Sequence, residues 1–475
     1  MSARVVATPS APPEPSAPTP PAASGRCVLA VEGSASAAQR MRAATHCARR
    51  ARQLHPLQGS ACQPLGAWHC AMGFQDCLPT LLGGQACRQH FDRRLAQQGA
   101  STTRPAPTTL PPRDAAVAQR PDPGAPAHRM RALFSTCIDR RAAPPDDPRA
   151  ELQPLAQTPS FVGNHSNGWD SMFAAMVAAV PSPSASAATR SSASEAASDS
   201  SLNLVLGFEH FAANYRIMGD LLQGFGLPIR LLADASAALT RADLGPTNAD
   251  GTPLQALYAA PGAQQTLLVR PWQLEKTAAA VERCWGHGIP RLPIPMGLAW
   301  TDAWLHHLAQ LSGNEVPALL QLQRYQLCEA MHRALPLICR QRFAVYGEPD
   351  FVMGISRFLI ELGAGPTLIL SQNGNKHWQA AMAGMLRECG YLHEVAIHGG
   401  HNTPDMARLI RHHRPDLLIT PPTLDDDDRQ PRQLPLPLRR VQLETPSGPG
   451  DRPGTLGYVG AHHLLNVIVD AVLNR

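Results

Sequence analysis

Apolar residues in this chain gather in short runs separated by amphipathic stretches, and the two patterns alternate. Leu202-Asn203-Leu204-Val205-Leu206-Gly207 is a short apolar run closed by glycine. A helical stretch over residues 211–224 follows, with Gly226 as its stop. Ile229-Arg230-Leu231-Leu232 and Thr266-Leu267-Leu268-Val269 read as strands, and residues 275–284 as a helix. The clearest unit comes later. Arg342-Phe343-Ala344-Val345-Tyr346-Gly347 predicts a strand, residues 351–362 a helix ending at Gly363, and Thr367-Leu368-Ile369-Leu370 the next strand. Residues 378–387 predict another helix, 394–397 and 416–419 two more strands, and 462–473 a strongly apolar final helix. Near-continuous apolar strands alternating with helices imply parallel sheets covered on both faces. No internal repeat at solenoid periods is present.

Three stretches break this rhythm. Residues 1–26 are mostly Pro, Ala and Ser, too poor in large apolar groups to offset chain entropy, and are expected to be disordered. Residues 27–56 belong to the same extension, and their pattern predicts a weak basic helix at 35–54. Residues 101–127 are crowded with prolines. Residues 181–201, mostly Ser and Ala, predict a flexible insertion. The expected organisation is an extension (1–56), a first domain (57–180), the insertion, and two further α/β domains (202–335 and 336–475), the last with the C-terminal helix.

The 475 residues suffice for several domains, and 44% apolar content is ordinary for a globular chain. Net charge is only +5. The basic stretches 39–56 and 128–141 do not interleave aromatics with arginine, so they read as solvated faces and not as nucleic-acid sites. No apolar run reaches the ~18–20 residues that span a membrane, and the first residues lack a signal peptide's apolar core. The expected compartment is the cytoplasm. There, 11 cysteines are buried thiols or metal ligands, not a disulfide framework.

Cys62 lies in Ala61-Cys62-Gln63-Pro64-Leu65-Gly66-Ala67, Cys87 in Gly83-Gly84-Gln85-Ala86-Cys87, and Cys137 in Phe134-Ser135-Thr136-Cys137. Taken alone, each is a small buried hydrophobe as readily as a ligand. Thiolates are soft ligands suited to iron–sulfur clusters, and nearby glycines let backbone approach a bulky group. Cys70, Cys77, Cys284, Cys328, Cys339 and Cys389 read as packing residues, and Cys27 and Cys47 have no assigned role. His398-Gly399-Gly400-His401 lacks a third ligand at suitable spacing and reads as a loop; the run Asp425-Asp426-Asp427-Asp428 reads as a solvated loop. Gly347-Glu348-Pro349-Asp350 opens a helix without the glycine pattern that cradles phosphate.

The cysteine motifs occur in order with Thr158-Pro159-Ser160-Phe161-Val162-Gly163 and Gly168-Trp169-Asp170. Further on stand Gly207-Phe208-Glu209, Pro271-Trp272-Gln273-Leu274-Glu275-Lys276-Thr277, Ile294-Pro295-Met296-Gly297-Leu298 and Trp300-Thr301-Asp302. Pro349-Asp350-Phe351-Val352-Met353-Gly354, Asn373-Gly374-Asn375-Lys376 and Leu456-Gly457-Tyr458 complete the series. Together they resemble the beta subunits of nitrogenase molybdenum-iron proteins, over residues 58–100, 130–180 and 202–475. The resemblance implies an α/β chain of three Rossmann-like domains with mostly parallel sheets. It implies an alpha2-beta2 tetramer with the nitrogenase alpha subunit, and an [8Fe-7S] P-cluster shared with that subunit. Cys62, Cys87 and Cys137 would supply the beta half of the ligands. Electrons would pass from the iron protein, which hydrolyses ATP, to the iron–molybdenum cofactor of the alpha subunit, where dinitrogen is reduced to ammonia. No residue of this chain would be catalytic, and no nucleic acid or membrane partner is implied.

The chain departs from that pattern in places. Asn164 stands where the resemblance expects a serine that joins the oxidised cluster, with Ser166 out of register. Ala118 replaces a phenylalanine of the docking surface, and Glu329 and Arg333 replace two aspartates of a cation site. After Cys137 the expected acidic stretch is Ile138-Asp139-Arg140-Arg141, and a His-rich segment before Thr455 has become Thr445-Pro446-Ser447-Gly448-Pro449-Gly450. Two readings follow, a divergent but working electron-transfer subunit and a degenerate non-catalytic paralogue; a cofactor-assembly scaffold is a more distant third, against which Phe351-Val352-Met353-Gly354 and Trp300-Thr301-Asp302 favour the beta subunit.

Overall fold

Short apolar runs become strands in three separate sheets, and every ladder between them is parallel. The structure, a computed structural model, describes residues 62–82, 129–135, 150–159, 163–180, 199–240, 250–391, 393–400, 403–420, 439–441 and 453–473. The expected disorder of 1–26, the basic helix at 35–54, the proline-rich 101–127 and Ala118 lie outside these residues, as does the Asp425–Asp428 run.

In the first unit, α1 (Cys62–Ala71) precedes β1 (Cys77–Leu82), β2 (Met130–Ser135), β3 (Leu155–Gln157) and α2 (His165–Ala179), with sheet order β1-β2-β3. The second holds β4 (Asp199–Val205), α3 (Ala212–Gln223), β5 (Ile229–Leu232), α4 (Ser236–Thr240), α5 (Leu254–Ala259), β6 (Ala263–Leu268) and α6 (Glu275–Cys284), in the order β5-β4-β6. Helices α7 (Ala299–Ser312) and α8 (Ala318–Ile338) lead to β7 (Arg342–Gly347). Then follow α9 (Pro349–Glu361), β8 (Gly365–Ser371), α10 (Lys376–Glu388), β9 (Ala396–Gly399), α11 (Thr403–His413), β10 (Leu417–Ile419), β11 (Arg439–Val441) and α12 (Gly457–Leu473). The third sheet runs β11-β10-β7-β8-β9, a doubly wound order that reverses direction between β7 and β10.

One apolar core joins the second and third units, with Leu204, Phe211, Trp304, Phe343, Val345, Phe358 and Leu464 among its buried members. A second core centres on α1 and α2 and takes in Trp169, Phe173, Phe208 and Trp285. The terminal helix α12 packs on α8, α3 and β11, so the end of the chain closes over both later units.

Several elements differ from the sequence expectation. Residues 199–201, assigned to the insertion, are the start of β4; serine carries no apolar signal, yet Ser201 is buried there. The strand expected at 394–397 is shifted to Ala396–Gly399, because His398 and Gly399 pair with Leu370 and Ser371. The 398–401 segment therefore begins in a strand and not a loop. Cys339 is exposed at the end of α8 instead of packed, whereas Cys70 and Cys77 are buried as expected.

Candidate functional site

The carboxyl ends of the parallel strands set the geometry, since ligand sites of open α/β sheets lie outside those ends. In the first sheet Leu82 of β1 pairs with Ser135 of β2, so the chain leaves both strands at one edge. It leaves toward Cys87 and Cys137 respectively, which lie outside the described residues. Thr158, just past β3, donates its backbone N–H (2.8 Å) and its hydroxyl (3.1 Å) to the Ser135 carbonyl, so the third strand ends at the same edge.

Cys62 is the first residue of α1. That helix start is fixed against the start of α2 by two glycines. A Cβ on Gly66 would sit 1.8 Å from the His165 carbonyl oxygen, and one on Gly168 would sit 1.9 Å from the Gln63 carbonyl oxygen. Only glycine permits this approach. Gly163, at φ +72°, turns the chain into α2 beside the Gln63 side chain. The start of α1, with Cys62 as its first residue, is therefore packed against the start of α2, the helix that follows β3.

Asn164 is the N-cap of α2, in a capping box with Asn167. Its Oδ1 accepts from the Ser166 hydroxyl at 2.7 Å and from the Asn167 N–H at 3.3 Å; its Nδ2 donates to Gln372 Oε1 at 3.1 Å. Asn373 Nδ2 donates to Ser166 Oγ at 3.1 Å. Gln372 and Asn373 directly follow β8, so the carboxyl edge of the third sheet meets the same helix start.

The second sheet arrives there too. Phe208, past the end of β4, stacks on His165 with ring centroids 5.4 Å apart and meets His69 of α1 edge-on. Glu209 and Arg270, past β4 and β6, form an ion pair of 2.6 Å with both side chains buried. Those strands flank the point where the second sheet reverses its order. Glu209 also accepts from the N–H groups of His210 and Phe211 and from the Asn214 amide.

The segment from Arg270 to Thr277 ties all three units together. Asp170 of α2 accepts the N–H groups of Lys276 (3.0 Å) and Thr277 (2.8 Å). Asp350 of α9 accepts those of Trp272 (3.2 Å) and Gln273 (2.9 Å). The Gln273 amide donates to Glu348, the residue that follows β7. Burial pushes Glu348 up to about 8, against a smaller pull down from Arg270. Burial likewise pushes Asp350 to about 7 and Asp170 to about 6, each held back by the backbone donors it accepts. In the sequence, Glu209, Asp170, residues 271–277 and Asp350 stood out only for their resemblance, Glu348 only as part of a helix opening without a phosphate-binding pattern, and Arg270 not at all. The signal available was the charged Glu209, Arg270, Glu348 and Asp350 each set beside an apolar strand end.

Other departures and matches also find places. Asp302 takes a bidentate contact from Arg324 and the hydroxyl of Tyr458, joining α7, α8 and α12. Glu361 accepts the N–H groups of Leu298 and Ala299 at the start of α7, beside Gly297 at φ +79°. Glu329 and Arg333 are exposed on α8. Cys70 and Cys77 are core thiols that burial holds protonated, Cys77 near 12. Among the described residues no group of three His, Cys, Asp or Glu is placed to hold a metal ion, and no helix is long and apolar enough to cross a membrane.

Comparison with known proteins decides the lineage. The family model described as nitrogenase component 1 type oxidoreductase matches residues 149–473. The chain belongs to that family. It is 32% identical over 456 residues to the nitrogenase molybdenum-iron protein beta chain of Azotobacter vinelandii, covering 87% of this chain and 83% of the relative. The beta chain of Klebsiella pneumoniae is also 32% identical, over 87% of this chain and 84% of its own. The solved structure titled nitrogenase Cp1 at pH 6.5 superposes with a TM-score of 0.70 at 23% identity, over 88% of this chain and 93% of its own, and shares the fold. The oxidoreductase family and the three-sheet architecture expected from the sequence are both present.

Proposed function

We propose that this chain is the beta subunit of a dinitrogenase component, pairing with a nitrogenase alpha subunit and holding half of a shared [8Fe-7S] cluster through Cys62, Cys87 and Cys137. The observation that supports the reading is the convergence of the sheets' carboxyl edges on the start of α2, against which the start of α1 with Cys62 is packed, within a chain that matches beta chains over most of its length. The residues present suit such a group. Three thiols form a soft, anionic donor set, and Gly66, Gly163 and Gly168 bring backbone where side chains would block it. When bound, the cluster supplies reversible electron storage between an iron protein and the cofactor of the alpha subunit.

The chain's own residues hold and insulate. Cys62 begins a helix, where the N-terminal dipole favours the thiolate. Phe208 stacks on His165 at the start of α2, and His69, in the last turn of α1, meets Phe208 edge-on. The Asn164–Gln372 and Ser166–Asn373 bonds fix the start of α2 against the third sheet. Asp170 and Asp350 anchor the 270–277 segment behind it. On this reading the chain relays electrons and is not itself the site of catalysis, in an alpha2-beta2 assembly whose ATP-dependent step belongs to the iron protein.

Asn164 favours a second reading. Its amide is committed to a cap and to Gln372, and it offers no alkoxide to an oxidised cluster. A paralogue that keeps the fold and its partner surface without turnover fits that observation. Acetylene reduction by the purified alpha–beta complex with a supplied iron protein separates the two. Turnover that needs this chain supports the relay; a complex that holds iron but does not turn over supports the paralogue.

A further inference from the structure

A cleft of about 380 Å³ opens beside the carboxyl ends of β4 and β5. Small-molecule sites span roughly 300–1,000 Å³, and in open parallel sheets they lie on this side. One wall is the first turn of α3, with Ala212, Ala213, Tyr215 and Arg216. The other is Leu231 of β5 and Asp234 just past it. The α3 start has no side-chain cap. Glu209 takes the N–H groups of His210 and Phe211, while those of Ala212 and Ala213 have no acceptor among the described residues. Tyr215 is only 3% exposed, yet no acceptor among the described residues takes its hydroxyl proton. Burial holds that phenol protonated, with the Ala235 N–H against its oxygen. A buried donor left without an acceptor is costly, so the hydroxyl marks a place for one.

The charges on the two walls are opposite and do not meet. Arg216 is exposed, and among the described residues neither it nor Asp234 has an ion-pair partner. Asp234 is held in place by two bonds. Its Oδ1 accepts the Ser236 N–H at 2.9 Å, and its own N–H donates to Thr252 Oγ1 at 3.0 Å. An anion alone would face Asp234, and a cation alone would face Arg216. A zwitterion answers both: its carboxylate takes Arg216, the Tyr215 hydroxyl and the α3 N–H groups, and its ammonium meets Asp234. Leu231 and the two alanine methyls leave an apolar wall for a short side chain. We propose that this cleft binds an α-amino acid with a short aliphatic side chain. The inference goes beyond the electron-relay reading and does not rest on it, because none of the three cysteines lines the cleft.

The test is isothermal titration calorimetry on the full-length chain with its alpha-type partner. The probes are L-leucine, isocaproate (the same skeleton without the ammonium) and isoamylamine (without the carboxylate), each to about 20 mM. Leucine should bind, and each analogue should bind about tenfold more weakly or worse. Arg216→Gln should weaken leucine about tenfold and isocaproate with it. Asp234→Asn keeps an acceptor for the Ser236 N–H; it should weaken leucine about tenfold and leave isocaproate within about threefold of the parent. Tyr215→Phe should weaken both carboxylates severalfold. Circular dichroism verifies that each variant folds. No leucine binding over the whole range overturns the proposal. So do analogues that bind as tightly as leucine, or leucine binding unchanged in both charge variants. Either failure with iron still bound removes the amino-acid site and leaves the cluster reading intact.

Discussion

Glu348 gives the sharpest quantitative test of the junction. It is buried, and Arg270, the cation near it, is already committed to Glu209 and to the Leu206 carbonyl. Its partner is the Gln273 amide, whose Nε2 donates to it while the buried Oε1 finds no donor. A protonated Glu348 completes that pair, because its O–H can donate to Oε1. The folded acid is raised from 4.5 to about 8 by burial. The sign follows from proton uptake: between those values the folded chain holds a proton that the unfolded chain has released. Stability from this group is therefore full below 4.5, falls as pH rises, and is lost by about 8. From pH 5.5 to 8 the loss is about 3 kcal/mol at 1.36 kcal/mol per unit. Glu348→Gln mimics the protonated acid and removes that loss. Urea unfolding of the full-length chain at pH 5.5, 7.0 and 8.5 should show the variant gaining about 3 kcal/mol on the parent across the range. The variant keeps some slope, because Asp350 and Asp170 are raised to about 7 and about 6. Parallel stability curves for parent and variant would refute the reasoning and place an ionised Glu348 in the junction.

Other perturbations probe the same architecture. Arg270→Met leaves Glu209 buried without its cation and should cost roughly 3–5 kcal/mol by urea unfolding. Gly66→Ala or Gly168→Ala drives a Cβ into a facing carbonyl and should cost about 2 kcal/mol or more, with lower iron retention, whereas Gly219→Ala, with open space around it, should not. Asn164→Ala removes the cap of α2 and the bond to Gln372, and should lower stability by about 1–2 kcal/mol. Asn164→Ser keeps the cap and loses the bond to Gln372, so it should cost about 1 kcal/mol or less and stay above Asn164→Ala in stability.

The third sheet was legible because β7, β8 and β10 are continuous apolar runs with helices of clear period between them. Helix α6 was read at its observed bounds, Glu275–Cys284. The final helix begins at Gly457, five residues before the expected start, because Gly457 and Gly460 pack closely on Ile217 and Thr455 and carry no apolar signal. The first sheet was not read from pattern at all. Its strands are short and set far apart in sequence, and they take their meaning from each other through pairings such as Leu82 with Ser135. The junction was hidden for a similar reason. Glu209, Arg270 and Glu348 are single charged residues after strands, and only the fold shows that they share one buried space.

Iron per chain most directly tests the claim that Cys62, Cys87 and Cys137 hold a cluster at the converging strand edges. The full-length chain is purified with its alpha-type partner, and iron and acid-labile sulfide are measured for the parent and for Cys62→Ala, Cys87→Ala and Cys137→Ala. Cys284→Ala serves as a control. The account predicts that each of the three variants loses iron and sulfide together while the control keeps both. Full iron and sulfide in all three variants would contradict it.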